Sequence, residues 1–526
     1  MLRSAVGTDV MVVSPHSLAS TAGARILERG GNAYDAAVAV SACLAVVYPH
    51  MTGLGGDSFW LMYNESEQSV RGYNASGRSG YQATRKAYLG EKAIPNRGAR
   101  SVVTVPGMVD GWAAVLDAYG RMTLAEVLKP AIAYAQKGFP FSLDQHNNTA
   151  ERLEMLLSMP ETSAIYAPAG AVPKRGSRFV QHNLARSLQK IAAGGRDAFY
   201  KGEIGLEIAR SLANAGGVLT ADDFADHSGD WVTPLTGSYR GFRLHQMPPN
   251  SQGFTGIMAA HIVENFDMGN IEHGSYEYYH LLIEALKLSF RDRNRELTDP
   301  DFRNIPVHSL INKAYCSKLA AQIDMQRALS LDGAPLGSDT AYAAVVDSEG
   351  NAVSFIQSLY FEFGSSFVGG ETGILLQNRG SFFSLDPDHV NALEPRKRTF
   401  HTLMPAMAMR EDRPYLLYGT QGGEGQPQTQ TALLTRMVDY GMDPQEAISA
   451  PRWVWGRTWG EATQELKLES RIPSEVADKL KAAGHAVKHV GDYDGITGHA
   501  QAIMIKEDGS RLGGCDPRCD GSAIGW

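Results

Sequence analysis

Hydrophobic and polar positions fall into two textures along the chain. In the first half, long apolar runs repeat at helical spacing. "NAYDAAVAVSACLAVVYPH" is apolar almost all round, which predicts a helix buried between layers. "MTLAEVLKPAIAYAQKG" opens with Thr123 and Glu126 at capping-box spacing and stops at Gly138, so it reads as a well-punctuated helix. "SYEYYHLLIEALKLSFRDRNREL" predicts a long amphipathic helix starting near Ser275. From about Ser338 the runs become short and β-rich: "AYAAVV", "AVSFIQSL", "GILLQN", "LMPAMAMR" and "YLLYG", separated by Gly, Asp and Pro. Helical spacing returns at Thr429 to Tyr440, Pro444 to Ala450 and around Ser474 to Ala483. Helices, then antiparallel-looking strands, then helices predict a layered α/β sandwich rather than a doubly wound sheet. The run "LSLDGAPLGSD", Leu329 to Asp339, reads as an exposed, flexible junction before the strands.

The first two β-rich runs carry a register. With "DSEGN" (Asp347 to Asn351) as the turn, Val346 faces Ala352, and counting six residues outward on each side pairs Thr340 with Ser358. Opposed side chains on one sheet face have Cβ atoms roughly 4.5–5.5 Å apart, within hydroxyl-to-hydroxyl reach. A bulge in the turn would break that pairing. A threonine hydroxyl needs a base to act as a nucleophile. If the chain were cut before Thr340, the new α-amine, with an ordinary pKa of about 7.7–8.0, would be that base on the same residue. The plain alternative is that Thr340 merely begins a strand.

Composition narrows the class. The 526 residues leave room for two domains or one large layered one. A hydrophobic fraction of 43% with 20% charged residues fits a globular protein, and no run approaches the ~18 apolar residues of a membrane span. The start, "MLRSAVGTDVMVV", lacks a secretory h-region, so a cytoplasmic location is expected. A net charge of −8 without a basic stripe speaks against nucleic acid as a partner. Cys43, Cys316, Cys515 and Cys519 are too sparse for a disulfide framework, and the "GGCDPRCDG" pair lacks a second pair or a nearby His for zinc.

Several segments, in order, resemble the γ-glutamyltranspeptidases, a family of N-terminal-nucleophile hydrolases: "RGGNAYDAAVAVSACLAVVYPHMTGLGGDSFWLMY", "VPGMVDGWAAVLDAYGRMTLAEVLKPAIAYAQKGF", "DTAYAAVVDSEGNAVSFIQSLYFEFGSSFVGGETGILLQN", "GTQGG" and the terminal "DPR". The resemblance implies a four-layer αββα sandwich and autocatalytic cleavage between Asp339 and Thr340. The products would be a large chain, 1–339, and a small chain, 340–526, intertwined in one domain. Thr340 would be the nucleophile, Ser358 its supporting hydroxyl, and Gly422 and Gly423 the oxyanion hole. No metal or organic cofactor is implied, and a homo-oligomer of the heterodimer is left open.

The departures from the family pattern bear on substrate. Where a transpeptidase holds a glutamyl α-ammonium with polar and acidic side chains, this chain has Tyr360, Arg379 and Phe382, and in place of paired serines it has His401 and Thr402. Arg78, in "NASGRSG", is the nearest candidate for the family's carboxylate-binding arginine, displaced by about two positions. A guanidinium suits a carboxylate and repels an ammonium, so a small anionic amide is the expected substrate. Within the family, the resemblance points to oxamate, cleaved to oxalate and ammonia in purine-nitrogen catabolism. The alternatives are a γ-glutamyl or glutaryl amide hydrolase and, more distantly, a non-catalytic anion binder. The ordinary readings are that Arg379 points outward to an acid, that Phe382 is core, and that His401 is a satisfied structural histidine.

Overall fold

The computed structural model describes residues 2–330, 339–456 and 463–526. Most of the predicted junction before Thr340 lies outside the described residues.

Two seven-stranded antiparallel sheets stack face to face. The first runs, strand by strand, Ser522–Gly525, Met11–Ser14, Asp339–Val346, Ala352–Tyr360, Asp57–Asn64, Ser69–Ala75 and Asp230–Val232. The second runs Ala5–Gly7, Arg511–Cys515, Ala500–Ile505, Arg413–Thr420, Ala406–Arg410, Phe242–Gln246 and Leu235–Tyr239. Because side chains alternate faces along a strand, each central strand feeds two cores. Tyr342, Ala344 and Ile356 point to the layer between the sheets, where they meet Met407, Leu417 and Ile503. Ala341, Ala343, Val345 and Phe355 point outward, under the helix Ala33–Val47. On the far side, helices Gly253–Val263, Tyr276–Glu296 and Gly425–Val438 cover the second sheet. The result is the αββα sandwich the sequence predicts.

The helix Ala33–Val47 is buried at every residue, as its all-round apolarity requires, and is started by an Asn32–Asp35 capping box. The Thr123–Glu126 capping box also forms. However, the segment it opens is two helices, Leu124–Val127 and Lys129–Lys137, meeting at Leu128, with Gly138 at φ +84 as the stop. Ser275 caps Tyr276–Glu296, but this helix is not amphipathic in its middle. Tyr278 to Phe290 are buried throughout, Glu284 and Lys287 included, because neighbouring helices enclose it.

Two further readings need adjusting. The first half is helix-rich but also supplies strands to both sheets: Asp57–Asn64, Ser69–Ala75, Leu235–Tyr239 and Phe242–Gln246. With both faces covered, Asp57–Asn64 shows no alternation for a period-2 reading to find. "GILLQN" is no strand; among the described residues its β-pairing is limited to isolated bridges at Leu375 and Leu376. Among the described residues no helix is long and apolar enough to cross a membrane, and all four cysteines are free.

The terminal "DPR" motif closes the sandwich with buried charge. Asp516 takes the Arg452 guanidinium and the Ala500 amide (2.6 Å), while Arg518 bridges Asp516 (3.0 Å) and Glu469 (Nε to Oε1, 2.6 Å).

Candidate active site

The hairpin register follows the sequence count from Val346↔Ala352 out to Ala341↔Gln357. One step further the ladder slips: the next pair is Asp339↔Tyr360, so Thr340 faces two residues, Ser358 and Leu359. This is a β-bulge on the returning strand, and it lies at the far end of the hairpin from the turn. Ser358 is also paired directly with Asp57 on the next strand. Thr340, Ser358 and Asp57 therefore end three adjacent strands on the face that looks between the sheets, and all three are buried. The turn before Asp57 is held tight against this row: a Cβ on Gly56 would lie 2.2 Å from the Ser358 carbonyl oxygen.

The bulge turns the backbone at Tyr360 into the left-handed region, φ +88, where a bulky side chain is strained. The Tyr360 amide donates to Ser358 Oγ at 2.8 Å. Arg379 donates to the same hydroxyl (Nη2, 3.3 Å) and to Thr402 Oγ1 (Nη1, 3.4 Å). Its guanidinium lies over the Tyr360 ring at 4.4 Å and 5.4 Å from that of Phe382, and these two rings pack at 4.2 Å. Arg379 is 1% exposed, so it does not reach outward to a surface acid. Among the described residues it makes no ion pair within 4.0 Å, and its Nε has no hydrogen-bond partner. Burial lowers its pKa to about 10, against the raising influence of Tyr360 and Asp57. Phe382 is both wall and core, since its ring also packs on Phe400 at 4.8 Å.

The loop after the strand Arg413–Thr420 carries Gly422 at φ +120 and Gly423 at φ +51, conformations that glycine tolerates. Among the described residues neither amide donates to a protein acceptor. The helix Gly425–Val438 starts immediately afterwards, so its positive end adds to these donors. Gln426, in its first turn, donates to Thr340 Oγ1 at 3.3 Å. Gln252 Nε2 joins the loop to Thr402, which Arg379 touches, bonding Thr402 O (2.8 Å) and Gly423 O (3.2 Å). Arg293 braces that glutamine (2.6 Å) and pairs with Glu424.

Among the described residues His401 makes no hydrogen bond to Arg379; its contact is with Asp57. Its Nε2 lies 3.2 Å from Asp57 Oδ2, and burial together with Arg379 holds its pKa well below the ordinary value, so it is neutral. Arg78 is engaged elsewhere, with Asp301 (2.7 Å), Asp299 (3.2 Å) and the Arg396 carbonyl (3.3 Å). Of the residues singled out from sequence, then, Thr340, Ser358, Tyr360, Arg379, Phe382 and Thr402 form one connected site, with Gly422 and Gly423 tied to it through Gln252. Asp57, Gln252 and Gln426 were not anticipated. The signal for Asp57 was present: an acid heading the otherwise apolar strand "SFWLMY" has to be buried.

An αββα sandwich with a small hydroxyl residue heading a central hairpin, beside a glycine pair at a helix N-terminus, defines the N-terminal-nucleophile hydrolases, enzymes that act on amide C–N bonds. The gamma-glutamyltranspeptidase family model matches residues 19–526, and the chain belongs to that family. It is 60% identical to a glutathione hydrolase-like proenzyme, YwrD, of Bacillus subtilis and 41% identical to an oxamate amidohydrolase proenzyme of Klebsiella pneumoniae, in both cases across 100% of each chain. The crystal structure of a cephalosporin acylase from Bacillus halodurans superposes with a TM-score of 0.93 at 35% identity, covering 100% of this chain and 97% of that one.

Proposed function

We propose that the chain cleaves itself between Asp339 and Thr340 and then hydrolyses a small anionic amide, with oxamate as the leading substrate. The observation that carries this reading is Arg379: a fully buried guanidinium with two long hydroxyl contacts and, among the described residues, no carboxylate in ion-pair contact. Burying a cation without a carboxylate in direct contact is costly, and such groups concentrate at functional sites. A substrate carboxylate would supply the missing partner with charge-assisted hydrogen bonds.

In the proposed cycle the Thr340 α-amine takes the proton of Thr340 Oγ as that oxygen attacks the amide carbon. The Gly422 and Gly423 amides hold the oxyanion. The amine returns the proton to the leaving nitrogen, ammonia departs, and water cleaves the acyl ester. For oxamate the balance is oxamate plus water to oxalate plus ammonium. Tyr360 and Phe382 limit the length of the acyl group. We place the enzyme in the cytoplasm, where free cysteines persist.

A second reading, a glutaryl or γ-glutamyl amide hydrolase, is favoured by the likeness to the glutathione hydrolase-like YwrD proenzyme and to the cephalosporin acylase. The test is ammonia release from oxamate alongside a γ-glutamyl anilide, with Thr340→Ala as the blank. Release from oxamate alone supports the first reading, and turnover of the anilide alone selects the second.

A further inference from the structure

Asp57 is built as an acceptor. Its Oδ1 takes the Gly107 amide (3.1 Å), the Gly77 amide (3.3 Å) and Gln377 Nε2 (3.1 Å). His401 Nδ1 accepts from the Leu403 amide (3.4 Å), so the ring proton is on Nε2 and is donated to Asp57 Oδ2. This fourfold cradle puts a carboxylate directly across the ladder from Ser358, the hydroxyl that Arg379 touches. Arg379 and Asp57 thus lie on two sides of Ser358, within each other's field but not in ion-pair contact.

We infer that Asp57 is the internal counter-charge of Arg379, a positioning residue, and that it takes up a proton from solvent when an anion occupies Arg379. The inference rests on the proposed reading of Arg379 as the anion site. In the free site the two charges cancel. A substrate carboxylate adds one negative charge inside a buried pocket, and one proton on Asp57 restores the balance. Burial pushes Asp57 up to about 6, with Arg379 and the three Oδ1 donors pulling it back, so a second anion nearby moves it into the neutral range. The other titratable groups facing this spot do not compete there: His401 is neutral, the Tyr360 ring lies against Arg379 at 4.4 Å with a phenol that ordinarily titrates at about 10, and a Thr340 α-amine with an ordinary pKa of about 7.7–8.0 is mostly protonated at pH 6.5.

The test uses the mature enzyme and oxalate as probe, titrated calorimetrically at pH 6.5 in two buffers of different ionisation enthalpy, neither a carboxylate nor a phosphate. Wild type should take up a substantial fraction of a proton per oxalate, and its Kd should weaken severalfold between pH 6 and 7.5. Asp57→Asn, which keeps an acceptor for the Gly77 and Gly107 amides, should bind without uptake and with a flat Kd. Oxalate binding to wild type without proton uptake, or with uptake undiminished in Asp57→Asn, overturns the role of Asp57; the wild-type result decides even if that variant does not fold. Binding that survives Arg379→Ala, or no binding at all, overturns the anion site itself and this inference with it.

Discussion

Arg379 Nη2 and the Tyr360 amide converge on one oxygen, Ser358 Oγ, at 3.3 and 2.8 Å. The first contact places the cation and the second holds a strained backbone. Removing that oxygen should therefore have two separable effects. In Ser358→Ala the Tyr360 N–H is left buried without its acceptor, a loss of about 1–3 kcal/mol. The same change frees both Tyr360 and Arg379 to shift, and kcat/KM should fall by about 10–100-fold. Ser358→Thr, which retains the hydroxyl, should recover most of the activity. Thermal unfolding and steady-state kinetics on the same preparations check this, and equal damage from both substitutions would make Ser358 a packing residue.

Arg379 itself should show stability and function pulling apart. Removing a buried cation relieves its desolvation cost, and without Arg379 the buried Asp57, already pushed up to about 6, is neutralised by a proton instead of being left as a bare charge. Arg379→Met is expected to keep the wild-type melting temperature or exceed it, while kcat/KM on an anionic amide falls by roughly 100-fold, the order expected for a lost charge-assisted contact. A large drop in melting temperature would mean that the guanidinium is a structural pin.

Maturation should depend on Thr340 and less on Gln426. Thr340→Ala should remain one uncut chain on a denaturing gel. Gln426→Leu removes the 3.3 Å contact to Thr340 Oγ1 but leaves the proposed nucleophile, and it should slow cleavage by about tenfold. A Thr340→Ala protein that still splits before residue 340 would remove the mechanism.

What the sequence disclosed and what it hid differ in kind. The Thr340–Ser358 proximity was legible because a tight turn with Gly350 and Asn351 sets a register that simple counting extends. The bulge was not, since nothing in "QSLY" marks an extra residue, and it decides the backbone twist at Tyr360. Arg379 stood out as a charge where a related pattern has the opposite one, but its near-total isolation from acids is a property of three-dimensional packing. Arg78 misled by proximity along the chain: two acids more than two hundred residues away, Asp299 and Asp301, hold it. The strand Asp57–Asn64 escaped notice because a strand covered on both faces reads as a continuous apolar run, which a buried helix does equally well.

The "DPR" network gives the molecule an acid limit. Burial alone would raise the Asp516 pKa, but Arg452, Arg518, His499 and the Ala500 amide together pull it down to about 2. A depressed carboxylate stabilises the fold in full above its unfolded value of about 3.9 and loses that contribution as pH falls through the folded value. The window is thus pH 4 to 2, and the linked stability is about 2–3 kcal/mol. Asp516→Asn leaves Arg452 buried without its partner and should cost roughly 3–5 kcal/mol at pH 7. Because the wild type surrenders its advantage as Asp516 protonates, the gap in melting temperature should be constant from pH 7 to 5 and should narrow steadily below pH 4. A gap that stays the same down to pH 2.5 would show that the loss in Asp516→Asn comes from packing and not from the charge.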